Sequence, residues 1–131
     1  MRQTIYTPIA ILALNTGDID KERSIIKACG FGAMAAVEGV YKGEKELAWL
    51  VPFSEPGQKQ ALLRLARDYY QESVLFQEMS GEVFLHFPDT GEEEHLGRLV
   101  EVPEDIAKKQ DSYTRLPLAA NGRGVYYITR K

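Results

Sequence analysis

The sequence predicts an α+β fold: a ferredoxin-like split β-α-β arrangement with an antiparallel sheet, two helices on one face and additional C-terminal strands. Three observations predict it. Ile5 to Leu14 is a nearly unbroken apolar run, as expected of a strand covered on both faces. Two later stretches carry apolar residues at helical spacing, Ile19 to Cys29 and a second opened by Ser54-Glu55-Pro56. Alternating segments between and after them read as hairpins. The resulting order is strand, helix, strand, strand, helix, strand.

The first strand stops at Asn15-Thr16-Gly17-Asp18, and Pro8 places the start of regular pairing after itself. Asp18 caps the first helix, because its carboxylate accepts orphan amides of the first turn. Ile25, Ile26 and Cys29 form the apolar stripe, with Lys21 and Glu22 on the other side. Gly30 ends the helix.

Met34 to Tyr41 is the next strand and Lys42-Gly43-Glu44-Lys45 its turn. Glu46 to Phe53 alternates, with Leu47, Trp49, Val51 and Phe53 on one face and Glu46, Ala48, Leu50 and Pro52 on the other. In the second helix Leu62, Leu65 or Ala66, and Tyr69 recur, Arg64, Arg67 and Asp68 face out, and Gln71-Glu72 closes it.

Ser73 to Gln77 and Glu82 to Phe87 flank Ser80-Gly81 as a second hairpin, followed by an acidic turn at Gly91 to His95. Beyond this the pattern weakens. Leu99 to Val102 reads as a short strand, Pro103 to Gln110 as a helical turn, Asn121 to Gly124 as a loop, and Val125 to Thr129 as a last strand. An open sheet with helices on one face needs cover on the other, which predicts an oligomer.

At 131 residues the chain predicts one domain, 1–131. A net charge of -3 argues against a nucleic-acid partner, and Arg123, Arg130 and Lys131 are too thin a cluster to reverse that. Cys29 is the single cysteine, so an intrachain disulfide and a structural zinc set are excluded. His86 and His95 lack metal-ligand spacing with it, and no metal is expected. A lone cysteine fits a reducing compartment. The first apolar run is too short to cross a membrane and lacks a cleavage pattern, which predicts a cytoplasmic protein without a membrane partner.

Gly30 to Ala35 has the spacing of a dinucleotide fingerprint, but it follows a helix and opens a strand, the reverse of what phosphate binding needs. The hairpin from Gly32 to Phe53 holds the candidate small-molecule site. Glu38, Glu44 and Glu46 cluster near its turn. Glu44 beside Lys45 reads as a solvated turn. Glu46 opens an apolar strand on the face opposite Trp49, where a carboxylate either holds a cationic ligand or is plain surface. Tyr41 pairs with Glu46 across the turn. A phenol ring and a carboxylate suit an ammonium or sulfonium ligand. Gln71 either reads a nucleobase edge or caps its helix. Val37 and Glu38, on the same strand as Tyr41, join Gln71 as expected substrate-binding residues.

KERSIIKACGFGAMAAVEGVYKGE, EKELAWLV, ALLRLARDYYQESVLF and GRLVEVPEDI follow one another over most of the chain. In that order they resemble the phage-encoded S-adenosylmethionine hydrolases, now understood as lyases. The resemblance implies a ferredoxin-like homotrimer with sites at subunit interfaces and no cofactor. It implies cleavage of S-adenosylmethionine to 5'-methylthioadenosine and homoserine lactone, which depletes the methyl donor and counters host restriction-modification. Tyr41 resembles the family's active-site tyrosine, Glu46 its essential glutamate, and Gln71 a glutamine near the ligand. The turn here is shorter than the family's, which keeps Glu44 as the alternative carboxylate. Two other readings stand beside this one: a non-catalytic trimeric ferredoxin-like sensor of adenosyl ligands, and an inhibitor protein acting through an acidic surface.

Overall fold

A computed structural model describes residues 6–117 and 124–131. Its strands are β1 (Ile9–Leu12), β2 (Ala35–Tyr41), β3 (Glu44–Pro52), β4 (Val74–Gln77), β5 (Glu82–His86), β6 (Glu93–Val102), β7 (Tyr113–Pro117) and β8 (Gly124–Arg130). Its helices are α1 (Ile19–Ala28), α2 (Pro56–Asp68) and the short α3 (Glu104–Ala107). The strands close into a barrel in the order β1-β3-β2-β7-β8-β6-β5-β4, and every pairing is antiparallel.

The open α+β ferredoxin-like sheet expected from the sequence is therefore incorrect. The strands β4-β1-β3-β2 do lie side by side, but neither β4 nor β2 is an edge. β5 pairs along β4, β7 pairs along β2, and β6 and β8 complete the ring. An exposed edge leaves a row of unpaired amides and carbonyls, and closure removes it. The C-terminal third, whose pattern is weak, supplies the closing strands. The acidic Gly91 to His95 stretch is mostly the start of the ten-residue β6, and β7 was not anticipated at all. Closure also removes the open sheet face, and with it the packing argument for an oligomer. The Asn121 to Arg123 part of the expected loop lies outside the described residues.

Alternation along the strands divides the chain into two apolar layers. Ala10, Leu12, Leu14, Trp49, Val51, Val74 and Phe76 face outward and pack under Ile26 of α1 and Leu62, Leu65 and Ala66 of α2. Ile11, Ala48, Leu75 and Leu85 belong to the other set and face the barrel interior. The outer layer holds the largest side chains, including Trp49 and Phe76, both fully buried. At roughly 1.5–3 kcal/mol per fully buried large apolar side chain, this layer dominates the stabilisation.

α1 begins where expected: the Asp18 carboxylate accepts the Lys21 N–H at 3.1 Å. Its buried face differs from the expected one, because Glu22 is buried and Cys29 is exposed. α2 opens with a capping box in which Glu55 and Gln58 satisfy each other's backbone amides. The hairpin turn is tighter than expected. Lys42 (φ 51°) and Gly43 (φ 82°) alone form it, a two-residue turn with both central φ angles positive.

β6 carries one further irregularity. The register slips between Val83 and Phe84, so that Val83 faces Gly97 while Phe84 faces His95. Leu96 is the extra residue, and Gly97 takes a φ of 97° beside it. Beside it β6 changes partner, Glu93 to Arg98 pairing with β5 and Arg98 to Val102 with β8.

Candidate active site in the barrel cavity

The barrel encloses a cavity of about 410 Å³ to which all eight strands contribute lining residues. An eight-stranded barrel is just wide enough to be filled by side chains or to hold one small ligand. Here small residues leave space: Gly39 on β2 and Ala48 on β3 occupy the wall beside Glu46. A Cβ on Gly39 would lie 3.8 Å from Glu46 Cγ and 3.6 Å from Ala48 Cβ, in ordinary contact. The glycine is thus a choice for room rather than for backbone conformation.

Tyr41 and Glu46 both line this cavity, but they are not directly opposite each other. The two-residue turn pairs Tyr41 with Glu44 and Gly39 with Glu46. Tyr41 and Glu46 are therefore diagonal neighbours on one face, within reach of long side chains. Glu44 is exposed at the hairpin end and does not line the cavity.

Gln71 does not line the cavity and is connected to it through Asn15. The Asn15 side-chain amide is 3.4 Å from Glu46 Oε2 and 3.4 Å from Gln71 Oε1. Gln71 in turn donates from Nε2 to the Tyr69 carbonyl at 3.0 Å. Asn15 thus joins two residues that are far apart in sequence. Its φ of 56° is a left-handed conformation that asparagine tolerates better than most residues.

The loop holding Asn15 is pinned by a buried carboxylate. Glu22 Oε2 accepts the Thr16 N–H at 3.1 Å and the Thr16 hydroxyl at 2.8 Å, while Oε1 accepts the Trp49 indole N–H at 2.9 Å. A buried carboxylate is costly unless its oxygens are hydrogen-bonded, and here both are. Glu22 therefore ties α1, the β1–α1 loop and β3 together just behind the site.

On the other side of the mouth, Lys42 Nζ stands 3.6 Å from Glu72 Oε1 and 5.1 Å from the Tyr41 ring centroid. Tyr41 first and Glu72 second hold the Lys42 pKa above its ordinary value. One side-chain and one backbone acceptor hold the turn: Ser112 Oγ accepts the Lys42 N–H at 3.2 Å, and the Asp111 carbonyl accepts the Gly43 N–H at 2.8 Å.

The other two sequence candidates lie away from the cavity lining. Val37 is buried opposite Ala48, deeper along β2. Glu38 falls on the opposite face of β2, with its carboxylate 4.0 Å from Lys45 Nζ. Sequence reasoning missed Asn15, whose only signal was its place in a turn. It also missed Thr114, Tyr127 and Thr129, which reach the cavity from β7 and β8. Among the described residues no group of histidine, cysteine and acidic side chains is arranged to hold a metal ion, and no helix is long and apolar enough to cross a membrane.

A closed barrel with a phenol and a carboxylate on the wall of an interior cavity is an arrangement that can take a small cationic ligand. The profile of the S-Adenosylmethionine lyase family matches residues 15–129, and the chain belongs to that family. Comparison with curated proteins gives no match.

Proposed function

We propose that the protein cleaves S-adenosylmethionine to 5'-methylthioadenosine and homoserine lactone in the barrel cavity. The observation that carries this reading is the placement of Tyr41 and Glu46 on one cavity wall, in a chain of the S-adenosylmethionine lyase family.

The substrate supplies both reacting groups. Its own carboxylate oxygen attacks Cγ, the Cγ–S bond breaks, and the sulfonium sulfur takes the electron pair as neutral methylthioadenosine departs. The new C–O bond closes a five-membered lactone, and no proton or water is consumed. The protein needs only to bend the methionyl chain so that the carboxylate lies behind Cγ. Orientation of this kind supplies roughly 7–11 kcal/mol in favourable cases.

In this reading Glu46 holds the ammonium group and the Tyr41 hydroxyl positions the substrate near the reacting centre. Asn15 holds the Glu46 carboxylate in place, and Gln71 braces Asn15 from outside the lining. Lys42, beside the Tyr41 ring and paired with Glu72 at 3.6 Å, flanks the same wall. Gly39 and Ala48 leave the room that the chain of the substrate requires.

Homotrimer formation, a cytoplasmic location and the depletion of a host methyl donor against restriction-modification are part of the same proposal; sites at subunit interfaces are not, because the cavity is lined by one chain. The location rests on the single cysteine and the short first apolar run, and the others on the resemblance to phage-encoded enzymes. Light scattering of the purified protein tests the trimer, and the S-adenosylmethionine pool of cells expressing it tests the depletion.

The deciding experiment incubates pure protein with S-adenosylmethionine and separates the products by chromatography. Methylthioadenosine with unlabelled homoserine lactone, trapped rapidly in isotope-labelled water, supports ring closure. Labelled homoserine at the earliest times points to direct hydrolysis instead. Unchanged substrate would overturn the activity altogether.

A further inference from the structure

A second cleft, of about 460 Å³, lies outside the barrel between α2 and the β5–β6 turn. Lys59, Arg64 and Arg67 enter it from one face of α2, and His86, Phe87 and Glu93 close it from the sheet side. We infer that this cleft is a binding site for a small phosphate-type anion, separate from the barrel cavity.

The buried histidine is the first argument. His86 is 7 % exposed, and its Nε2 is buried with no hydrogen-bond partner among the described residues. The Glu93 carboxylate stands 3.7 Å from Nε2, beyond hydrogen-bond reach. Buried polar atoms are ordinarily satisfied, so an orphan facing a cleft points to a ligand that completes it. The ring packs perpendicular to Phe76, 4.9 Å between centroids, which holds its plane beside the cleft.

Charge is the second argument. Arg64 and Arg67 are exposed and have no carboxylate within ion-pair distance among the described residues. They are three positions apart on a helix, where like charges repel and an anion between them would relieve the repulsion. Lys59 lies 3.9 Å from Glu78. Counting Glu78 and Glu93 against Lys59, Arg64 and Arg67, cations still predominate.

The donor set selects the anion. A planar carboxylate is satisfied by a single guanidinium fork. Two guanidinium groups, an ammonium and an imidazole able to donate from Nε2, all lining one cleft, suit a tetrahedral dianion with oxygens in several directions. The confined shape and the net charge of -3 favour a small molecule over a polynucleotide. The Phe87 side of the cleft gives an organic ester group an apolar surface.

Calorimetric titration of the purified protein with inorganic phosphate and with phenyl phosphate, against chloride at matched ionic strength, tests the site. Saturable binding is expected in the millimolar range or tighter, weakened at least about tenfold in the Arg64→Ala/Arg67→Ala double variant. The His86 imidazole resonances should shift on saturation. Tighter phenyl phosphate binding identifies a phosphate monoester as the natural class, and tighter inorganic phosphate binding identifies the free ion. Saturation by neither, equal binding by the double variant, or an unmoved His86 signal overturns the inference. The readout is independent of lyase turnover, so its failure leaves the barrel-cavity proposal untouched.

Discussion

Asn15 and Glu46 are joined by an amide-to-carboxylate hydrogen bond of 3.4 Å across a separation of 31 residues. One partner follows β1 and the other lies in β3, next to β1 in the barrel. The bond sets the carboxylate's direction at the cavity mouth, and the same asparagine reaches Gln71. Asn15→Ala should therefore lower kcat/KM about fivefold to tenfold, as expected for losing one long charge-assisted hydrogen bond of about 1 kcal/mol. Steady-state kinetics with a thermal melt would check it. Unchanged kinetics would detach Asn15 from the proposed site.

Glu46→Gln should leave the fold intact and abolish methylthioadenosine release, since an amide cannot compensate the substrate's charge. Glu44→Gln should retain turnover, because Glu44 is exposed at the hairpin end and does not line the cavity. Chromatographic product assays on both variants distinguish the two carboxylates. The reverse pattern would move the ammonium site to Glu44.

Gly39→Leu should fold and lose substrate affinity. A Cβ here meets only ordinary contacts, so the added bulk enters the cavity beside Glu46. Gly39→Ala should be mild in both respects. Calorimetric titration with S-adenosylmethionine would compare them, and full affinity in the leucine variant would place the substrate elsewhere.

Gly97→Ala should be severely destabilising. Its φ of 97° disfavours an L side chain, and the new Cβ would stand 2.3 Å from the Arg130 carbonyl oxygen. Both are backbone constraints, so no side chain can move aside. A loss of more than about 2 kcal/mol is expected in urea denaturation. A near-native midpoint would mean that β6 and β8 separate without cost.

Acidification should weaken the fold through His86. Burial first, and the Lys59 charge second, push its pKa below the ordinary 6.5, while Glu93 and Glu78 oppose this. The folded protein then binds fewer protons than the unfolded chain. Stability from this source is present above about pH 6.5 and is lost as pH falls through the lower folded value. Urea denaturation from about pH 7 to pH 5 in phosphate-free buffer should show a slope that His86→Gln reduces. An identical slope in that variant would assign the acid sensitivity to other groups.

Glu22 is buried, where it accepts the Trp49 indole N–H and two Thr16 donors. This residue shows where sequence reading failed. A glutamate among lysine and arginine on a helix resembles a solvated face, and only the approach of β3 and the β1–α1 loop buries it. The same reason hid Asn15, whose partners are far away in sequence.

The sequence by itself determined the local elements of the first half. The Asp18 cap, the strand start after Pro8, the alternation through Trp49 and the helical stripe of Leu62 and Ala66 depend on near neighbours and are written in residue order. It also placed Tyr41 and Glu46 near a turn. The tertiary structure decided that the sheet closes, that Tyr41 faces Glu44 rather than Glu46, and that Glu38 points away from the cavity. The physical reason is that strand closure depends on backbone pairing between distant segments, such as β2 with β7 and β6 with β8. Backbone amides and carbonyls are the same in every residue but proline, so the sequence leaves little trace of which strand completes which edge.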